Sequence, residues 1–159
     1  MTKFLATLLT ALVLCSCAST GQPLKSGIKV GTGETALNRQ FMVGNWYGEE
    51  PVASGGKHQW LDQRKNDSSF IIRIRSVDSG ETIDQTEYGT WGVSANIFFS
   101  ITSGWLHDGL PTPADPSDPN FYDAYQILSL TSDSMTYKNL ETGNVFTARR
   151  VSDDFQFPD

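Results

Sequence analysis

The sequence predicts an all-β fold, an eight-stranded antiparallel up-and-down barrel with little helix. The chain has 159 residues, which is enough for one domain and leaves little room for a second. From Phe41 onward, apolar and polar residues alternate in short runs that are separated by turn-forming residues such as Gly, Asn and Asp. Along that part of the chain we find no helical pattern long enough to cover one face of an open sheet.

The strands follow one another at close spacing. Phe70, Ile72 and Ile74 share one face of their strand, and Arg73 and Arg75 share the other. The apolar face favours burial, so we expect both arginines outside, paired across the next hairpin with Asp84 or Glu87. The eight predicted strands are Met42–Glu49, Lys57–Arg64, Phe70–Val77, Thr82–Trp91, Asn96–Thr102, Tyr122–Leu130, Ser134–Leu140 and Asn144–Val151.

The short connections favour closure of the sheet. Turns such as Ser54-Gly55-Gly56 and Asp78-Ser79-Gly80 tolerate positive φ and join neighbouring strands directly. Closing an eight-stranded meander into a barrel pairs both edges and buries one face in a single step. A two-sheet β-sandwich is the alternative.

The N-terminus predicts export and lipid attachment. Lys3 precedes an apolar stretch, Phe4–Leu14, which is too short to span a membrane and fits a signal peptide of residues 1–16. The following Leu14-Cys15-Ser16-Cys17 resembles the bacterial lipobox, which implies that Cys17 is acylated and becomes the first mature residue. An ordinary cleaved signal that leaves Cys17 as a free thiol is the alternative. Ala18 after the cysteine resembles an outer-membrane address, so we expect a periplasm-facing lipoprotein held in the outer membrane by acyl chains such as palmitate.

The remaining chain divides into three parts. Residues 17–36 are rich in Gly, Ser, Thr and Lys and predict a flexible tether, with a single helical turn over Glu34–Gln40. The barrel is expected over residues 37–152. An acidic C-terminal tail, residues 153–159, follows it.

Two positions carry a family resemblance. Gly44 and Trp46 open the first strand and resemble the Gly-x-Trp signature of lipocalins and other calycin barrels. In that group an arginine of the last strand packs over the tryptophan, and Arg149 and Arg150 both match it. The resemblance covers Leu37 to Val151 and implies a lipocalin-like bacterial lipoprotein whose barrel binds a small apolar or amphipathic molecule. The chain lacks a clear Thr-Asp-Tyr motif in its late loops, and its only two cysteines, Cys15 and Cys17, lie in the lipobox-like segment.

Aromatic residues supply the candidate pocket. An aromatic-lined lumen suits an apolar ligand, although the same rings could simply fill a small barrel. Ser103–Asn120 contains four prolines and predicts a long, stiff loop, either a lid over the mouth or a docking surface. The residues expected at the pocket or its mouth are Trp60, Tyr88, Trp91, Phe99, Trp105 and Tyr125.

Composition and motifs narrow the function. The net charge of −6 argues against a nucleic-acid binder. His58 and His107 are the only histidines, and no catalytic, phosphate-binding or metal-binding motif is present. We therefore expect no catalytic residues, no cofactor, no metal and no enzyme activity. The alternative to a ligand-binding barrel is a filled barrel that docks onto, or inhibits, a periplasmic protein.

Overall fold

A computed structural model describes residues 32–158, so Cys17, the predicted signal peptide and most of the predicted tether lie outside the described residues. One helix and nine strands follow in chain order, with a short 3₁₀ turn at Pro119–Phe121. They are α1 Thr32–Met42, β1 Gly44–Pro51, β2 Lys57–Arg64, β3 Ser69–Asp78, β4 Glu81–Ser94, β5 Ile97–His107, β6 Leu110–Pro113, β7 Tyr122–Leu130, β8 Ser134–Asn139 and β9 Val145–Val151.

Eight of the strands form a closed antiparallel barrel, as the sequence predicted. Each strand from β1 to β5 pairs with the next, β5 pairs with β7, and β7, β8 and β9 continue the meander. The ring closes where β9 pairs with β1, with Tyr47 opposite Arg149 and Trp46 opposite Arg150. Closure means that no second sheet is needed to bury the inner face, so the sandwich alternative does not apply.

The predicted loop Ser103–Asn120 is in part a β-hairpin, so the prediction was wrong for its first half. β5 continues to His107, and Asp108 and Gly109, both at positive φ, turn the chain into β6. Asp-Gly is a strong two-residue hairpin signal. The prolines of β6 fit this arrangement because β6 is an edge strand, where a missing N–H costs no ladder hydrogen bond.

The helix closes one end of the barrel. α1 begins at Thr32, so residues 32–36, which we assigned to the tether, are helical. Asn38 Nδ2 donates a hydrogen bond of 2.8 Å to the carbonyl of Ala95, and the Ala95 N–H donates to Thr35 Oγ1 at 2.9 Å. These bonds fix α1 against the β4–β5 turn. Within the described chain, no helix has the length and apolar character needed to span a membrane.

The C-terminal segment, residues 152–158, packs against the outer wall of the barrel. Phe155 contacts Tyr47 with 4.9 Å between ring centroids, and Asp153 accepts a hydrogen bond of 2.7 Å from Asn45. Phe157 lies 4.9 Å from the Arg75 guanidinium. The predicted acidic tail therefore uses its aromatic residues to cover β1 and β3.

The inner and outer faces of β3 follow the predicted alternation. Ile72 and Ile74 face the lumen, and Arg75 on the outer face forms an ion pair with Asp84 at 2.8 Å across the β3–β4 hairpin.

Candidate ligand-binding cavity

Trp46 seals the closed end of the barrel. Its side chain is fully buried, and Nε1 donates to the carbonyl of Met42 at 2.8 Å. The guanidinium of Arg150 lies 4.5 Å from the centre of the Trp46 ring. Met42, Phe70, Trp91, Phe98 and Met135 pack around it in one buried cluster.

Arg150 also ties the helix to the barrel. Its Nη1 donates to the carbonyl of Val43 at 2.8 Å, and its other nitrogens donate to the carbonyls of Phe41 and Ser132. Gly44 makes room for it, since a Cβ there would lie 2.2 Å from Arg150 Nη1 and the φ of +123° disfavours other residues.

Arg149 has a different position. It points outward, over the rings of Tyr47 and Phe155, with 5.0 Å to each ring centroid. Of the two arginines that matched the signature, the structure therefore places Arg150 on Trp46.

Above this closed end, the lumen contains a cavity of about 180 Å³. A second depression of about 160 Å³ adjoins it on the side of the mouth, which we define as the end formed by the turns after β1, β3, β5 and β8. The two share Trp60, Ile72, Ile74, Tyr125 and Tyr137. The other residues lining the deeper cavity are Asp62, Arg64, Phe70, Glu87, Trp91, Phe98, Ser100, Thr102 and Asp123.

Three of the predicted pocket residues line this cavity, namely Trp60, Trp91 and Tyr125. Trp105 lies at the rim, where it pairs with Glu87 across β4 and β5 and packs edge-on against Phe121 at 5.4 Å.

Phe99 and Tyr88 were predicted wrongly as pocket residues. Phe99 is 42% exposed and lies on the outer wall with its ring against Gly92, while Phe98 takes the inner position. Tyr88 pairs with Ile71 on the outer face of β3, because Glu87 and Gly89 occupy the inward positions of β4.

A buried ion pair lies at the bottom of the cavity. Asp62 Oδ2 is 2.7 Å from Arg64 Nη2, and Arg64 also lies 4.6 Å above the ring of Phe98. The other carboxylate oxygen, Asp62 Oδ1, is buried and has no hydrogen-bond partner among the described residues. Burial raises the pKa of Asp62 despite the opposing charge of Arg64.

Two further carboxylates reach the lumen from other strands. Asp123 accepts a hydrogen bond of 3.1 Å from Asn139, and burial raises the pKa of its carboxyl group. Glu87 accepts hydrogen bonds from Gln85 at 2.5 Å and from Thr102 at 3.2 Å. The side chains that donate these hydrogen bonds to Asp123 and Glu87 are neutral, so the bonds do not neutralise either carboxylate.

Aromatic rings form the rest of the wall. Phe98 and Tyr125 stack with 4.5 Å between centroids, and Tyr137 meets both rings edge-on at 5.4 Å. Burial raises the pKa of the Tyr125 and Tyr137 hydroxyls, so both remain neutral hydrogen-bonding groups near neutral pH. The cavity therefore combines aromatic surface with a few polar groups, which is typical of small-molecule sites.

Sequence reasoning missed Asp62, Arg64, Glu87, Asp123 and Tyr137 as lumen residues. The available signal was parity, since Asp62 and Arg64 stand two and four residues after Trp60 on the same strand. Placing Trp60 in the lumen places both charges there as well.

Comparisons with known proteins identify a structural likeness but no family. No protein-family model matches the sequence, and no curated protein matches it. Among solved structures, the chain is similar to a lipocalin-like protein from Bacteroides uniformis, with a TM-score of 0.43 and 14% sequence identity. The alignment covers 70% of this chain and 99% of that protein.

Proposed function

We propose that this protein binds a small amphipathic molecule inside its barrel. The observation that carries the proposal is the cavity itself, which Trp46 and Arg150 close below and which adjoins a depression toward the mouth. A lumen filled by its own side chains would leave no such space. Aromatic walls supply apolar contact area, and buried carboxylates and hydroxyls supply orientation.

The size of the cavity limits the ligand. An apolar cavity of about 150 Å³ holds benzene, so about 180 Å³ holds a single ring with a short substituent. A substituent pointing toward the mouth would continue into the adjoining depression beside Trp60 and Phe146. A long acyl tail exceeds this space.

Filling the cavity tests the proposal. Ser100 lines the cavity and Thr90 lies exposed on the outer side of β4, so Ser100→Leu fills the lumen and Thr90→Leu is its matched control. We expect single-ring probes such as 2-phenylethanol and 2-phenylethylamine to quench tryptophan fluorescence saturably in wild type and in Thr90→Leu, and not in Ser100→Leu. Failure of every probe, or equal binding by Ser100→Leu, would refute binding in the lumen.

We also propose that Cys17 anchors the protein to the outer membrane, facing the periplasm. The support is the lipobox-like Leu14-Cys15-Ser16-Cys17 and the following Ala18. Cys17→Ser should abolish labelling by radioactive palmitate and shift the protein out of the membrane fraction. A processed Cys17→Ser protein that still partitions with membranes would contradict the anchor.

Docking onto a periplasmic protein is a second candidate function. It is favoured by exposed apolar side chains on the outer wall at Phe99, Tyr122 and Leu128. Under this alternative, Phe99→Ser would abolish co-purification of a partner, whereas Ser100→Leu would not affect it.

A further inference from the structure

The charges that line the cavity are unequal. Three carboxylates, those of Asp62, Glu87 and Asp123, face one guanidinium, that of Arg64, among the residues lining it. We propose that the ligand is an organic cation, a protonated amine on a small apolar body. This inference rests on the proposed binding function and specifies the chemical class of the ligand.

Asp62 provides the most direct support. Only 8% of the surface of Asp62 is exposed, and its Oδ2 already pairs with Arg64. The other oxygen has no partner in the described chain and belongs to a residue of the cavity wall. A buried carboxylate oxygen without a hydrogen bond is costly, and a cation in the adjoining cavity would offset the part of the Asp62 charge that Arg64 leaves unbalanced. A ligand carboxylate has no proton to donate and would add repulsion.

Glu87 and Asp123 extend this argument around the cavity. They come from β4 and β7, so the negative charge surrounds the ligand space rather than lying on one strand. Their hydrogen bonds come from the neutral groups of Gln85, Thr102 and Asn139. Burial raises the pKa of both Asp62 and Asp123 because removal from water disfavours their charged forms, and a bound cation would favour those charged forms.

The aromatic walls suit the same class of ligand. Trp60 and Tyr137 line both the cavity and the depression beside it. The faces of aromatic rings attract cations, and this attraction is larger where the cation is removed from water. Charged walls around a space of low dielectric also concentrate ions of opposite sign.

A matched series of probes tests the charge preference directly. The probes are 2-phenylethylamine, 2-phenylethanol and 3-phenylpropionate, which share a ring and differ in charge. Isothermal titration calorimetry of the full-length protein should give at least tenfold tighter binding for the amine than for the alcohol, and the weakest binding for the carboxylate. The double variant Glu87→Gln, Asp123→Asn should reduce the ratio of amine to alcohol affinity severalfold. Asp84→Asn, on the outer wall, should leave that ratio unchanged.

The outcomes separate the two proposals. If the alcohol or the carboxylate binds as tightly as the amine, the cation preference is wrong and binding in the lumen stands. If the double variant keeps the full preference, the carboxylates do not cause it and the inference fails. If none of the three probes binds, the proposed function itself fails.

Discussion

Removing the Arg150 side chain should detach the helix from the barrel. Its guanidinium donates to the carbonyls of Phe41, Val43 and Ser132 and lies over Trp46. Phe41 lies in the last turn of α1 and Val43 directly follows the helix. Carbonyls at this end of a helix lack hydrogen-bond partners within the helix, so Arg150 supplies the donors. A hydrogen bond to a charged group contributes about 1.5–3 kcal/mol, and a cation–π contact contributes ~0.5–2 kcal/mol. Because Arg150 is only half-buried and these contributions are not additive, we expect Arg150→Met to lower the free energy of unfolding by about 3 kcal/mol.

Arg149→Met is the matched control, since the neighbouring arginine is exposed and stacks on Tyr47 and Phe155 on the outer wall. It should cost about 1 kcal/mol or less. Urea titration followed by tryptophan fluorescence measures both losses, and unchanged m-values would show that both variants unfold from the same compact state. Equal losses for the two variants, or a loss below about 1 kcal/mol for Arg150→Met, would refute the role of Arg150 at the closed end.

Substitutions at Trp46, Asp123 and Phe155 should each change the stability of the protein in a measurable direction. Trp46→Ala should cost about 3–5 kcal/mol in urea titration, because the ring is fully buried; a loss below ~1 kcal/mol would contradict its sealing role. Burial raises the pKa of Asp123 in the folded protein above its unfolded value of ~3.9. The neutral carboxyl therefore favours the fold below the unfolded pKa, and this contribution to stability is lost as the pH rises through the folded pKa. Asp123→Asn should therefore gain stability relative to wild type between about pH 4 and pH 7 in thermal melts, and a constant difference would show that Asp123 does not titrate there. Phe155→Ala should cost about 1–2 kcal/mol and expose Tyr47 to acrylamide quenching, whereas unchanged quenching would mean that the C-terminal segment does not cover this wall.

The strand pattern of the barrel was readable from the sequence because alternation and turn chemistry are local signals. The pairing of Arg75 with Asp84 followed from the same local geometry. The β5–β6 hairpin was missed because its prolines suggested an irregular loop, although Asp108-Gly109 carried the stronger signal.

The inner face of β5 could not be read in the same way. Its more apolar set, which includes Phe99, lies outside, and the set containing Phe98, Ser100 and Thr102 lines the lumen. Alternation identifies two faces, and hydrophobicity chooses between them only where the interior is apolar. Here the interior is a partly polar cavity, so choosing the more apolar face of β5 as the inner one placed Phe99 wrongly in the pocket.

Closure of the ring leaves little backbone on which another molecule of the protein could add a strand. Among the described strands, β4 runs beyond its last pair with β5, and residues 81–86 pair with β3 alone. That free edge carries Glu81 and Asp84, and the outer edge of β6 carries Pro111 and Pro113, which have no N–H to donate. Charge and proline both oppose edge-to-edge pairing. The protein should therefore tolerate crowding at high local concentration without forming intermolecular sheets.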